Sequence, residues 1–521
     1  MRLRPTLPVL IAGGWFVFVF ASIVWVWGLN PDGLASPDEA LNRFAAAVLS
    51  EQGRPFLHLA FPDPEDLAHP RHWVSVGDHA VPSYAPVAIY GYALLLRLRT
   101  VGFILIAALP ASAAAAFAAG ITRLLPAGRK WLALPAPMLA FPALYWLMRP
   151  WMNVSVLLIC VCWAFFCWAS WSKSGSPRQL ALAVFAAGAA AAVRPDYAAY
   201  LMSFTLLLGL AESPAEWKRV LGLVLAAGAT AVVVNLFLNW LVTGHPLLAA
   251  YQIVAARDEG PAHAGGVLGL LRQLLIPMGV PERGMALGFL SRYWLQMGSI
   301  AGLTLGQLAL LPSLLRRPRL QRALFALALL IVLCFVLSHM DPDLNGAIEH
   351  RSLVHHSMPR YWSPVYLLAV LPPVLFLGEC KSRALLLVGA LCVGGLAVAG
   401  GYEIYAREVY GLVGLRDFTR RSARAVRLLE RDVPQSAMLY SATHDKILWS
   451  RWRVGTIAEP EPTAQSLSRA AQAGLGVFVF EPGLKRAPYL RLDRALRRRQ
   501  LTLVRGAEQG LYRLAASTEH P

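Results

Sequence analysis

Apolar residues run along this chain in stretches near the roughly 20 residues needed to cross a bilayer. They fall at 7–28, 100–122, 131–148, 151–171, 179–193, 196–211, 220–242, 286–315, 323–339, 361–378 and 384–402. The pattern predicts about eleven membrane-spanning helices. The first run is too long for the apolar core of a signal peptide and has no persuasive cleavage site after it, so it reads as a retained anchor. Beyond residue 403 the pattern changes to a soluble one. Residues 416–431 read as an amphipathic helix, 437–441, 454–459 and 477–481 as strands, and 464–474 and 487–499 as helices around them. The expected organisation is a membrane domain over 1–403, with a large loop at 29–99, followed by a small soluble α/β domain over 404–521.

Composition sharpens this. With 57% hydrophobic and only 15% charged residues among 521, the chain has too little charge for a soluble globular protein and reads as a polytopic α-helical membrane protein. A net charge of +18 raises the question of nucleic acid, but no basic stripe interleaved with aromatics accompanies it. The basic residues instead mark alternate short loops: Arg2 and Arg4, then Arg123 with Arg129 and Lys130, Lys173 with Arg178, Lys218 with Arg219, Arg316 to Arg322, and Lys381 with Arg383. That alternation places the N-terminus in the cytoplasm. The loops at about 29–99, 243–285 and 340–360 then lie on the outer face, and an odd number of spans puts the C-terminal domain outside as well. The six cysteines sit in or beside apolar runs and suggest neither disulfides nor a thiolate metal site.

Span centres are almost free of ionisable residues, which disfavours an ion-coupled transporter. Polar groups gather in the expected outer loops. The first is Ser36-Pro37-Asp38-Glu39, where Ser suits an N-cap, Pro the first helical position and Glu the position three residues after the cap. Capping uses Ser36 and Glu39 and has no need of Asp38. Others are His69 and His72 in "HPRHW", Asp78 and His79, Arg194-Pro195-Asp196-Tyr197, Asp341 and Asp343, and Glu349 to Tyr361. The His and Asp groups are of metal-binding type, but loops commonly carry unliganded His, and no metal site is assigned.

Four stretches taken together carry a resemblance: "SPDEALNRFAAAVLSEQG" (36–53), "VGDHAVPSYAPVAIYGYALLLRL" (76–98), "AAVRPDYAAYL" (191–201) and "MPRYWSPVYLLAVLPPVLFL" (358–377). In this order the chain resembles the GT-C fold membrane glycosyltransferases, more specifically the bacterial protein O-mannosyltransferase and aminoarabinose transferase-like (glycosyltransferase family 39-like) group. It departs from that pattern at Tyr84-Ala85-Pro86, where many members have Lys-Pro-Pro or Tyr-Pro-Pro, and in a Pro- and His-rich segment at 54–75. The resemblance implies transfer of a sugar from a polyprenyl-phosphate donor to an acceptor hydroxyl at the outer face of a bacterial inner membrane, with inversion. Asp38 is then the expected general base, since an aspartate is ionised at neutral pH and can take the acceptor's proton. Glu39 is its expected partner. Arg194, Arg351 and Arg360 are expected to hold the lipid phosphate, because a guanidinium fork suits phosphate oxygens. Tyr84, Tyr361, Asp78, His69 and Asp196 are expected around the substrates. The partners implied are the donor, a lipid, glycan or protein acceptor and membrane lipids. Some GT-C enzymes use a divalent ion and others do not, so no cofactor is assigned. A polymerase or ligase of lipid-linked glycans does not need the acidic pair after the first span. A flippase predicts polar groups inside the membrane, and these are scarce.

Overall fold

A computed structural model describes residues 6–28, 34, 36–70, 72–83, 86–195, 201–202, 205–206, 209, 214–247, 360, 363–406, 411–442, 444–449, 451–481, 486–506, 508 and 510–517. In chain order the elements are α1 (Leu7–Trp27), α2 (Pro37–Gln52), β1 (Leu57–His58), β2 (Trp73–Val76), β3 (His79–Pro82), α3 (Pro86–Arg97), α4 (Thr100–Leu124), α5 (Ala136–Leu139), α6 (Phe141–Leu147), α7 (Asn153–Ser174), α8 (Pro177–Val193) and α9 (Trp217–Thr243). There follow α10 (Ser363–Ala369), α11 (Leu371–Glu379), α12 (Arg383–Tyr405), α13 (Leu412–Asp432), β4 (Met438–Ser441), α14 (Asp445–Leu448), β5 (Arg453–Thr456), α15 (Pro460–Gln472), β6 (Val477–Phe480), α16 (Arg486–Arg497), β7 (Leu501–Arg505) and β8 (Leu511–Ala516). The described residues form two compact units. One lies within Met1–Val26, Ile104–Asn235 and Ala264–Gly414, the other within Trp27–Phe103, Leu236–His263 and Leu415–Pro521.

Among the described residues, five helices are long and apolar enough to cross a bilayer: α1, α4, α7, α9 and α12. Away from their ends their exposed side chains are mostly apolar, as Leu387, Leu391 and Val398 of α12 illustrate, which suits a lipid-facing surface. Two stretches that read as single spans are interrupted instead. Residues 131–148 fold as the end of a 3₁₀ turn, then α5 and α6, because Pro135, Pro137 and Pro142 each lack the N–H a continuous helix needs. Likewise, 363–379 divides into α10 and α11, with Pro372 and Pro373 in the first turn of α11. The expected spans at 286–315 and 323–339 lie outside the described residues, as does most of 196–211.

In the first unit the interrupted segment is the most enclosed part: every residue of α6 is buried. α7 and α8 form a hairpin that turns at Gly175, whose φ of +64° is unfavourable for other residues. α12 crosses the interrupted segment so closely that a Cβ on Gly400 would come within 2.6 Å of the Met138 carbonyl oxygen. Tyr405, at the end of α12, shares a 2.6 Å hydrogen bond with Ser22 of α1.

The second unit holds two sheets. β1, β3 and β2 make a small antiparallel sheet in that order, with β2 and β3 in hairpin register from Trp73 opposite Pro82. The larger sheet has the order β5-β4-β6-β8-β7, parallel across β5, β4 and β6 and antiparallel from β6 to β7. Its core joins Tyr440, Val479, Leu467 and Leu496. Phe61, from the segment between β1 and β2, is buried in that same core. The segment continues along the sheet edge: the Thr456 amide donates to the Leu67 carbonyl at 2.7 Å, and the Thr456 hydroxyl to the His69 carbonyl at 2.9 Å. Arg469 adds a 2.6 Å ion pair with Glu65. Residues 61–69 therefore belong structurally to the sheet, and Gly455 makes room for them, since a Cβ there would meet Tyr440 at 2.5 Å and the Leu67 carbonyl at 2.9 Å.

Candidate active site

The start of α2 is fixed by a complete capping box. Ser36 has extended backbone angles, its hydroxyl accepts from the Glu39 amide at 3.3 Å, and the Glu39 carboxylate accepts from the Ser36 amide at 3.0 Å. Gly53, at φ +72°, closes the other end with its N–H on the Leu49 carbonyl. Glu39 is 1% exposed. Asp38 takes no part in the box as described, and His72 Nε2 lies 3.5 Å from its Oδ1. The Asp38 side chain is 14% exposed and that of His72 is 41% exposed. His72 precedes β2 with φ +65°, and its carbonyl accepts from Ser83 at 2.8 Å, closing the β2–β3 hairpin. A carboxylate held at a helix N-terminus beside an imidazole can exchange a proton with a hydroxyl that approaches it.

Further along α2, aromatics pack against the helix. Phe44 lies 4.7 Å from the Trp449 ring and 5.4 Å from Trp73, and the Arg43 guanidinium sits 5.6 Å over Trp449. Beside them is a cavity of about 470 Å³ bounded by Phe44, His58, Trp449, Arg451 and Trp452.

The other predicted residues in this unit have different surroundings. His69 is buried, with Nε2 2.8 Å from Asp66 and 3.8 Å from Asp63, and Nδ1 3.0 Å from the Pro70 carbonyl. Burial raises the Asp66 pKa, but the hydrogen bond and charge of His69 and the Ser75 donors outweigh it and hold this carboxyl at about 2. Asp63, Asp66 and His69 are the one grouping of metal-ligand side chains among the described residues, their ligand atoms lying within 4.8 Å of one another. Asp63 already accepts from the Leu67 and Ala68 amides and the Ser75 hydroxyl, so the group is knit together as an ionic and hydrogen-bonded knot. Asp78 stands on the β2–β3 turn with its side chain 86% exposed, its carboxyl held below the ordinary range by a hydrogen bond from His79.

In the first unit Arg194 caps the C-terminus of α8, half-buried. Arg360 reaches the interrupted segment, its guanidinium carbon 5.9 Å from the centroid of the Trp146 ring. A second guanidinium shares that ring: Arg149, only 4% exposed, lies 4.9 Å from Trp146 and 5.8 Å from Tyr145. The sequence placed Arg149 only near a span end. Its signal was present, because Arg149-Pro150 repeats the Arg-Pro pair of Arg194-Pro195 at another helix break. Tyr84, Asp196, Arg351 and Tyr361 lie outside the described residues.

No known protein family matches the chain, and no curated protein matches it in sequence. Among solved structures it is similar to ArnT from Cupriavidus metallidurans in the apo state, with a TM-score of 0.51 and 14% identity over 96% of this chain and 98% of that one. The fold is that of ArnT. A second ArnT structure from the same organism, bound to undecaprenyl phosphate, aligns with a TM-score of 0.49 and 14% identity over 98% of this chain and 99% of that one. The resemblance to GT-C membrane glycosyltransferases read from four short motifs thus holds at the level of fold, and with the five apolar helices the chain is a helical membrane protein. Likeness to ArnT at 14% identity carries the fold and no residue's role.

Proposed function

We propose that the chain is a glycosyltransferase that moves a sugar from a polyprenyl-phosphate donor to an acceptor hydroxyl at the outer face of a bacterial inner membrane. The observation that carries this reading is the division of labour at the start of α2. Ser36 and Glu39 are spent on the capping box, while the neighbouring Asp38 is turned to His72.

In the proposed reaction Asp38 accepts the proton of the acceptor hydroxyl as that oxygen attacks the anomeric carbon. The bond from that carbon to the phosphate oxygen breaks, and polyprenyl phosphate leaves with the electron pair. One displacement inverts the configuration, and no covalent enzyme intermediate is needed. His72 positions the carboxylate and can pass its proton onward. Glu39 holds the turn that presents Asp38. Arg194 and Arg360 are proposed to neutralise the lipid phosphate, a task suited to guanidinium groups.

The test is transfer of a radiolabelled sugar from undecaprenyl-phosphate donors by the full chain reconstituted in bilayers. Asp38→Asn is expected to fold with an unchanged melting temperature and lose at least 10²-fold in transfer, the scale of a lost general base. An Asp38→Asn protein that transfers at the wild-type rate overturns the proposed mechanism.

A further inference from the structure

The cavity beside α2 has a lining that the proposed transfer does not use. Its volume of about 470 Å³ lies in the range of sites that take small molecules, and the residues around it all belong to the second unit. The buried part of the lining is apolar: Phe61, Met438, Trp452 and Val454. Trp452 spends its indole N–H on the Val433 carbonyl at 3.3 Å, so what it leaves for the cavity is apolar ring. The exposed part is polar. Gln52, His58, Gln435, Arg451 and Arg453 stand there, and no aspartate or glutamate joins them in the lining. Arg451 is held by a 2.6 Å bond from its Nε to Glu430. Among the described residues, the side chains of Gln52, Gln435 and Arg453 make no hydrogen bond or ion pair.

We propose that this cavity binds an anionic oligosaccharide, a short sugar chain bearing carboxylate or phosphate groups. Sugars present apolar C–H faces ringed by hydroxyls, so a site for them needs apolar surface within and a few placed polar groups around it. The amides of Gln52 and Gln435 donate and accept at once, which matches neighbouring hydroxyls. The forked donors of Arg453 suit the oxygens of a carboxylate or phosphate. A lining without acids spares an anion the repulsion that would otherwise oppose its entry. A peptide fits less well. It would add along a strand edge, and β5, the edge strand that borders the cavity, already spends the Thr456 amide on the Leu67 carbonyl. Phe44 and Gln52 border the cavity six and fourteen residues after Asp38 on α2, about 9 and 21 Å further along the helix axis. The site is therefore distinct from the proposed base and goes beyond the transferase reading.

The experiment measures binding without chemistry. Detergent-solubilised full-length chain is titrated with tetragalacturonic acid, which carries carboxylates, and with pentamannose 6-phosphate, which carries a phosphate. Binding is read by native mass spectrometry and located by amide hydrogen exchange over 52–61 and 435–454. Neutral maltotetraose and a hexaglutamate peptide serve as comparison ligands. At least one anionic oligosaccharide is expected to bind and to protect both segments, with maltotetraose at least about tenfold weaker. The tighter of the two anionic sugars tells which charged group the site takes. Arg453→Gln is expected to weaken that sugar about threefold to tenfold. Ala60→Trp, which puts an indole into the cavity from an exposed position of its lining, is expected to abolish binding. Arg420→Gln, exposed on α13 and outside the lining, should leave binding unchanged; an equal loss there would mean general attraction to a basic protein. The proposal is overturned if neither anionic sugar binds, or if maltotetraose or hexaglutamate binds as tightly. Wild-type binding by both Ala60→Trp and Arg453→Gln overturns it equally. No lipid donor is present in the titration, so the outcome for transfer by Asp38→Asn leaves this result as it stands.

Discussion

Asp66 offers a quantitative handle on the segment that joins 61–69 to the larger sheet. Its carboxyl is held at about 2, below the ordinary aspartate value, because burial is outweighed by His69 and by the Ser75 amide and hydroxyl. A group whose pKa falls on folding stabilises the folded state at every pH above its unfolded value, and that contribution is lost as pH falls through the folded value. The window is therefore about pH 4 down to pH 2. The shift of nearly two units corresponds to about 2.4 kcal/mol at most. The side chain is 24% exposed, and solvent screening reduces the figure to about 1–2 kcal/mol. The assay is hydrogen exchange of peptides covering 61–76 and 453–457, which contain the Ser75 amide bonded to Asp66 and the Thr456 amide bonded to Leu67. After correction for intrinsic rates, opening of these amides in the wild type is expected to rise about 5- to 30-fold between pH 4.5 and pH 2. Asp66→Asn, which keeps an acceptor and removes the charge, should open more readily at pH 4.5 and lose most of that slope. The reasoning fails if Asp66→Asn retains the full wild-type slope, since the titration would then belong to other carboxylates.

Three further outcomes follow from the same unit. Gly455→Ala places a methyl 2.5 Å from the Tyr440 ring and 2.9 Å from the Leu67 carbonyl, so it should cost about 1–3 kcal/mol and raise exchange at Leu67 to His69 before it affects β7 and β8. Phe61→Ala empties an aromatic site in the sheet core and should cost about 3 kcal/mol, seen as proteolytic cleavage within 59–70 at temperatures where the wild type resists. Ser36→Ala removes the hydroxyl half of the capping box and should cost about 1 kcal/mol in thermal melts, with transfer activity falling much less than in Asp38→Asn. Equal losses of activity in the two variants would mean that Asp38 matters only as part of the helix start.

Much of this structure was legible because local chemistry decided it. The capping box at Ser36 and Glu39 needs only residues three apart, and Gly53 is the natural end of the same helix. Segments read as strands at 437–441 and 477–481 coincide with β4 and β6, whose short apolar runs have few alternatives. Apolar length located α1, α4, α7, α9 and α12. Length alone did not show the prolines' effect: 131–148 is hydrophobic enough to span a bilayer, yet Pro135, Pro137 and Pro142 break it into short helices. Tertiary partners were illegible altogether. Nothing local in "FPDPEDLAH" says that Phe61 will enter a core built from residues nearly 400 positions later, because that core exists only once β4, β6 and α16 have assembled.

The candidate site divides along the same line. Asp38 was visible as the one acid in its turn that the cap does not use, and Arg360 as a cation where a late apolar run begins. Their companions were not. His72 stood in a motif whose two histidines look alike, and only the fold separates them: His69 is buried against Asp66 and holds a loop, while His72, three residues on and in a left-handed backbone conformation, meets Asp38. Arg149 was hidden because an arginine beside an apolar run ordinarily snorkels to headgroups. The structure departs from that expectation, for Arg149 lies 4.9 Å from the Trp146 ring and is 4% exposed. Arg149 stands three residues after Trp146, so local chain geometry brings the two together, and a search for Arg-Pro pairs at interrupted apolar runs would find both Arg149 and Arg194 from sequence alone.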